Sequence, residues 1–142
     1  MNIEELKKVQ SMTLDEINQI IEEAKGLRNQ IQNFMFDISY QLCNANKDKL
    51  DIIVDKLLNA KNSFTEKSLH YRMIGLERSY IAKDNNESIK IINACGELIL
   101  IASQCNEASS NFCKTNLFFY CKVNSRTPRQ AVRSMTTYSC SE

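Results

Sequence analysis

Apolar positions recur at steps of three and four along most of this chain, the spacing that gathers them on one face of an α-helix. The clearest run is Ile17, Ile21, Ala24, Leu27, Ile31, Phe34, Ile38 and Leu42. It predicts a single helix reaching about Cys43, roughly 45 Å long at the helical rise. The helix opens on Thr13-Leu14-Asp15-Glu16, a reciprocal capping box that also sets two acids at the positive end of the dipole. Gly26 interrupts the stripe. A glycine there costs up to about 1 kcal/mol against alanine, so a bend or a close helix crossing is expected at that point. Residues 1–12 read as a frayed N-terminus.

Asn44-Ala45-Asn46 supplies N-cap candidates for a second helix, whose buried face is Leu50, Ile53, Val54, Leu57 and Leu58, ending near Asn62. Ser63 or Thr65 caps a third, with Leu69, Met73, Leu76 and Tyr80 as its stripe. Lys83-Asp84-Asn85-Asn86 ends that helix and caps the next. The fourth, over residues 86–106, carries Ile89, Ile92, Cys95, Ile99 and Ala102, widened by Ile91, Leu98 and Ile101. A helix apolar nearly all round is buried, so this one is predicted to be the centre of the bundle. A fifth runs from Phe112 to Lys122. Thr127-Pro128-Arg129-Gln130 starts a sixth, with proline at the first helical position, where its missing N–H costs nothing. Ala131, Val132 and Met135 then face inward, while Arg129 and Arg133 face out together.

The prediction is one all-α domain over residues 1–142, a bundle of five to six helices. Composition supports it: the chain has three Gly and one Pro, too few for the tight turns of a sheet protein of this length. Hydrophobic residues make up 43% and charged residues 25%, the balance of a chain that folds around a core. No apolar run reaches the roughly 20 residues that a membrane helix needs. The opening MNIEELKKVQ is charged and is no signal peptide. An exported protein with this start is therefore expected to be a mature chain.

Charge is placed unevenly behind a net of +1. No acid occurs between Glu107 and Glu142, whereas Lys114, Lys122, Arg126, Arg129 and Arg133 all fall there. Such polarity bears on partners, not on fold.

Six cysteines, Cys43, Cys95, Cys105, Cys113, Cys121 and Cys140, occur in the chain. Zinc sites draw ligands from short spacings, often with histidine; here the successive gaps hold 51, 9, 7, 7 and 18 residues, and His70 is the only histidine. No metal is expected. No C-x-x-C is present, so thioredoxin-type redox chemistry is not expected either. An even count at this density fits three disulfides in an oxidising compartment, against the plainer reading of buried thiols acting as small apolar residues. Cys95 and Cys105 on one predicted helix stand about 15 Å apart, and Cys113 and Cys121 about 12 Å apart, beyond the roughly 7 Å reach of a bridge. The expected scheme staples Cys43, Cys95 and Cys105 to the three later cysteines, and the pairing stays open. Asn86-Glu87-Ser88 is a glycosylation sequon compatible with export.

Catalytic signatures are missing. His70 stands between Leu69 and Tyr71 with no G-x-S-x-G, H-E-x-x-H or P-loop, and reads as a surface or packing histidine. Pairs such as Glu4-Glu5 and Glu22-Glu23 read as solvated helix faces. No enzyme activity and no cofactor are expected. Phe34, Met35, Phe36 and Met73 fit plain core as well as the wall of an apolar cavity. Insect odorant-binding proteins share the cysteine count, but they hold their second and third cysteines three residues apart, whereas Cys95 and Cys105 enclose nine. The remaining signal is CKTNLFFYCKVNSRTPRQAVR, in which bases interleave with Phe118, Phe119 and Tyr120. Lys114, Tyr120, Lys122, Arg126, Arg129 and Arg133 are the candidate partner-binding residues, for a protein with an acidic surface. Five bases are a thin footprint for nucleic acid.

A capped amphipathic N-terminal helix followed by Cys95, Cys105, Cys113, Cys121 and Cys140 crowded towards the end resembles the small helical salivary proteins of blood-feeding flies. It is most similar to the anopheline salivary family that blocks host complement or contact activation. The resemblance covers the whole chain as architecture and implies a secreted, non-enzymatic inhibitor that occludes the surface of a host protease complex. The alternatives are a secreted carrier of a small apolar ligand and an intracellular helical adaptor with reduced cysteines. The sequence leaves oligomeric state open.

Overall fold

A computed structural model describes the backbone of residues 1–123 and the side chains of residues 1–111 except Lys47. The described residues form four helices, α1 (Ile3–Gln10), α2 (Leu14–Asn44), α3 (Lys47–Asp84) and α4 (Ile89–Val123). No strand occurs among the described residues. The all-α reading holds over the described residues, where predicted helices are joined into longer ones. The second and third predicted helices are one, and so are the fourth and fifth. The sixth, at residues 128–135, lies outside the described residues.

The N-terminus is built, not frayed. Asn2 caps α1 through a 2.8 Å bond that its Oδ1 accepts from Glu5 N–H, and Val9 and Met12 are buried. The Thr13 box is present as read, with Glu16 N–H donating to Thr13 Oγ1 at 3.2 Å. The α2 stripe forms the predicted face: Ile17, Ile21, Ala24, Leu27, Ile31, Ile38 and Leu42 are all buried. Asn46 is the N-cap of α3, without a side-chain bond. At the turn into α4, Asn85 caps α3 and Asn86 takes a left-handed φ of 55°. Ser88 rather than the expected asparagines caps α4, its Oγ accepting from Lys90 N–H at 3.2 Å.

The largest departure concerns α3. Its predicted second-half stripe, Leu69, Met73, Leu76 and Tyr80, is exposed. Buried instead are Phe64, Ser68, Ile74, Gly75, Arg78 and Ala82. Helical continuity is the reason. Leu50, Ile53, Val54, Leu57 and Leu58 are buried in the first half, and an unbroken helix carries that face forward in phase to Phe64, Ser68, Gly75, Arg78 and Ala82. Reading a break near Asn62 let the second half choose its own most apolar face.

The helix α4 is the centre of the bundle, packing along α3 and against α2, while α2 and α3 meet less. Cys95, Leu98, Ile101, Ala102 and Cys105 are its buried face. Gly75 permits the tight α3–α4 crossing: a Cβ there would stand 2.7 Å from Ile99 Cγ1 and 3.0 Å from the Cys95 carbonyl oxygen. Gly26, where a crossing was expected, has nothing within 4 Å of a would-be Cβ. Between α2 and α4, Arg28 donates to Gln104 Oε1 at 2.9 Å. Phe34 meets Phe64 edge-on at 5.6 Å between ring centres.

Candidate functional site

Two buried polar devices fix how the helices present their surfaces. Arg78 is 3% exposed. Its Nε donates to the Met12 carbonyl at 2.9 Å, its Nη1 to Glu87 Oε1 at 2.9 Å, and its Nη2 to Glu87 Oε2. One guanidinium thus ties the α1–α2 joint, the end of α3 and the α3–α4 turn together, in the bidentate geometry that suits Arg and carboxylate. The hydrogen bonds from Arg78 hold the Glu87 carboxyl below its ordinary range. The sequence offered no signal for this pair, because a lone arginine nine residues from a glutamate is commonplace.

The second device is the thiol pair. Cys95 and Cys105 are fully buried and Cys43 is exposed, all three as free thiols. Burial pushes both core thiols up from their ordinary range, so they behave as small apolar residues. Cys113 and Cys121 belong to the last turns of α4, on the same unbroken helix as Cys95 and Cys105. At 1.5 Å per residue no two of these four come within about 12 Å, beyond the reach of a bridge. Each needs a partner off the helix, and only Cys43 and Cys140 stand elsewhere in the sequence. An unbroken α4 therefore admits at most two bridges within one chain, and the three-bridge scheme requires α4 to be broken. Cys140 lies outside the described residues.

The candidate site is a groove of about 360 Å³ between the last turns of α2 and the first of α3. Tyr40, Gln41 and Asn44 form one wall, Ile52 and Ile53 the other, and Lys49 and Lys56 stand two turns apart on the rim. Two of its apolar residues are strongly solvated, Tyr40 at 71% and Ile52 at 60%, while Ile53 forms a buried floor; Phe36, one turn before Tyr40 and outside the groove, is 79% exposed. Local bonds hold the α2 wall. Asn44 Nδ2 donates to the Tyr40 carbonyl at 2.8 Å, and Gln41 Nε2 to Asp37 Oδ2 at 2.8 Å. Large apolar side chains exposed next to one another and rimmed by polar groups are the surface chemistry of a docking site. Lys49 and Lys56 put two positive charges on its rim. Phe36 was read from the sequence as a core or cavity residue; the structure exposes it.

Of the residues singled out from the sequence, Lys114, Tyr120 and Lys122 stand on the last turns of α4. Because α4 runs antiparallel to α3, those turns finish at the end of the bundle that holds the groove. Their side chains, with Arg126, Arg129 and Arg133, lie outside the described residues. Asn86 is exposed in the α3–α4 turn. His70 is exposed beside Tyr71, with ring centres 6.1 Å apart, on an open groove of about 480 Å³ that also meets Glu23 and Glu66. Burial, and then the Glu23 carboxylate, raise the Tyr71 hydroxyl above its ordinary range. No group of three His, Cys, Asp or Glu that would hold a metal gathers among the described residues. No described helix is long and apolar enough to cross a membrane. Comparison with protein-family models, curated proteins and solved structures returns no match.

Proposed function

We propose that this protein works without catalysing a reaction, by binding another protein at the α2–α3 end of the bundle. The observation that carries this reading is the groove of Tyr40, Ile52 and Ile53 rimmed by Lys49 and Lys56. Its lysines share one end of the described bundle with the last turns of α4, which carry Lys114 and Lys122, so an acidic protein surface is the partner both features fit. In its narrower form the protein is secreted and occludes a host-defence complex of complement or contact activation, as the resemblance implies. That form calls for oxidised cysteines. The parallel run of α2 and α4 brings Cys43 level with the turns that carry Cys121, which makes this pair the first bridge to seek.

The burial of Cys95 and Cys105 on the helix that also bears Cys113 and Cys121 favours a second reading, an intracellular adaptor with reduced thiols. Among the described residues, the core gives a carrier role no support. The space lined by Ile31, Phe34, Met35, Leu57, Phe64 and Ser109 is about 10 Å³, a single-water volume at most.

The test compares capture of plasma and cytosolic proteins by the native chain, by Tyr40→Glu with Ile52→Glu, and by Arg129→Glu with Arg133→Glu. A partner held by the native chain and lost by the groove variant, with the helical circular dichroism unchanged, supports the reading. Equal capture by all three removes it. The fraction from which the partner comes distinguishes the secreted form from the adaptor.

A further inference from the structure

The exposed stripe on α3 has its own arrangement, remote from the groove. Leu69, Met73, Leu76 and Tyr80 are 48%, 41%, 42% and 70% exposed, although they sit in the middle of a long, well-anchored helix. Their spacings of four, three and four residues are the alternate a and d positions of a heptad repeat, with Leu69 and Leu76 at d. The opposite side of α3 is committed to the molecule's own core through Ile74, Arg78 and Ala82, so the seam looks outward from a fixed scaffold.

The two ends of the seam differ in charge. One heptad before Met73 stands Glu66, and one heptad after Leu76 stands Lys83, both exposed. Neither takes part in an ion pair among the described residues. Two copies of this helix laid parallel would set glutamate against glutamate at one end and lysine against lysine at the other. Laid antiparallel, the same two copies set Glu66 of each against Lys83 of the other, while Met73 meets Leu76 and Leu69 meets Tyr80. The same inversion brings Glu77 near His70 of the second copy. Sequence, spacing and charge are thus self-complementary under one two-fold axis, the isologous arrangement of homodimers.

We propose that the α3 stripe is the interface of an antiparallel homodimer, centred between Met73 and Leu76 of the two copies and closed at both ends by Glu66–Lys83 pairs. Three turns of seam make a small interface, so the pairing is reversible, with a Kd on the order of 1–100 μM. This does not depend on the groove or on its partner. It places both grooves away from the two-fold axis, where they stay open.

Sedimentation equilibrium of the full reduced chain over that concentration range is the test. The expected result is a monomer–dimer equilibrium. Met73→Glu, which puts two charges in the seam, weakens it about a hundredfold or more. Glu66→Lys and Lys83→Glu alone each weaken it about three- to tenfold, by setting like charges together. The double reversal returns the constant to near the native value. A parallel pair does not respond in this way, because single reversals there leave like against like. All four variants change exposed positions, and an unaltered helical spectrum verifies their folding. A full chain that stays monomeric to about 100 μM assigns the face to another occupant, either its own residues 124–142 or a foreign helix, and overturns the proposal. So does a dimer indifferent to Met73→Glu, or one whose double reversal fails to recover.

Discussion

Arg78 is the residue on which most of the local geometry turns. It satisfies the Met12 carbonyl and both oxygens of Glu87, and its removal strands a buried carbonyl as well as unpacking three segments. Arg78→Met is expected to cost about 2 kcal/mol or more, read as a shift in the urea midpoint. The pH dependence has a definite sign. The folded protein holds Glu87 at a lowered pKa, so its contribution is present above the ordinary glutamate range and is lost as pH falls through the folded value. Native stability should thus drop on the acid side, and Glu87→Gln should flatten that part of the curve. An acid limb of equal steepness in Glu87→Gln would show that other carboxylates carry it. None of this was legible in the sequence, since nothing in the residues around Arg78 or Glu87 announces that one is buried against the other.

At the scale of the helix, legibility followed the strength of the stripe. α2 could be read almost to its ends because cap, dipole acids and stripe agree from Thr13 to Leu42, and each of those cues acts locally. α3 could not, because its second half carries two competing faces. Leu69, Met73, Leu76 and Tyr80 are the more apolar, yet Ser68, Gly75, Arg78 and Ala82 lie in phase with a first half that has already chosen its side. The burial of a serine, a glycine and an arginine is thus a non-local decision. The glycines illustrate the same point, because space around a residue is a property of its neighbours. Gly75→Ala gains helix propensity but drives a Cβ to 3.0 Å from the Cys95 carbonyl and 2.7 Å from Ile99, so a net loss of about 1–2 kcal/mol is expected. Gly26→Ala meets open space and should gain about 0.5–1 kcal/mol. Thermal or urea unfolding of the two variants gives opposite signs if the crossing lies at Gly75; matching signs would reject this account of the α3–α4 contact.

For the molecule as a whole, the cysteines set a rule that number and spacing alone did not contain. The spacing within α4 was readable, but the fusion of the fourth and fifth predicted helices was not, because Asn106 to Asn111 resembles a link while its backbone continues the helix. That fusion puts four cysteines on one rod. Either the rod stays intact and at least two of the six thiols remain outside intrachain bridges, or all six are bridged within one chain and the rod breaks. The two states differ in measurable ways. In the intact and fully reduced state, Cys43 should react with a thiol reagent at once, while Cys95 and Cys105 should wait for unfolding, being both buried and raised in pKa. The raised thiols also favour the folded state only below the ordinary thiol range, so stability should decline as pH rises through it. A monomer with no reactive thiol after denaturation should in turn have lost helical signal relative to its reduced form. Reductant titration followed by far-ultraviolet circular dichroism on the same sample measures both quantities. A monomer with all six thiols bridged and undiminished helicity would mean that α4 does not run unbroken to Val123, and with it would go the geometry that sets Lys114 and Lys122 at the groove end of the bundle.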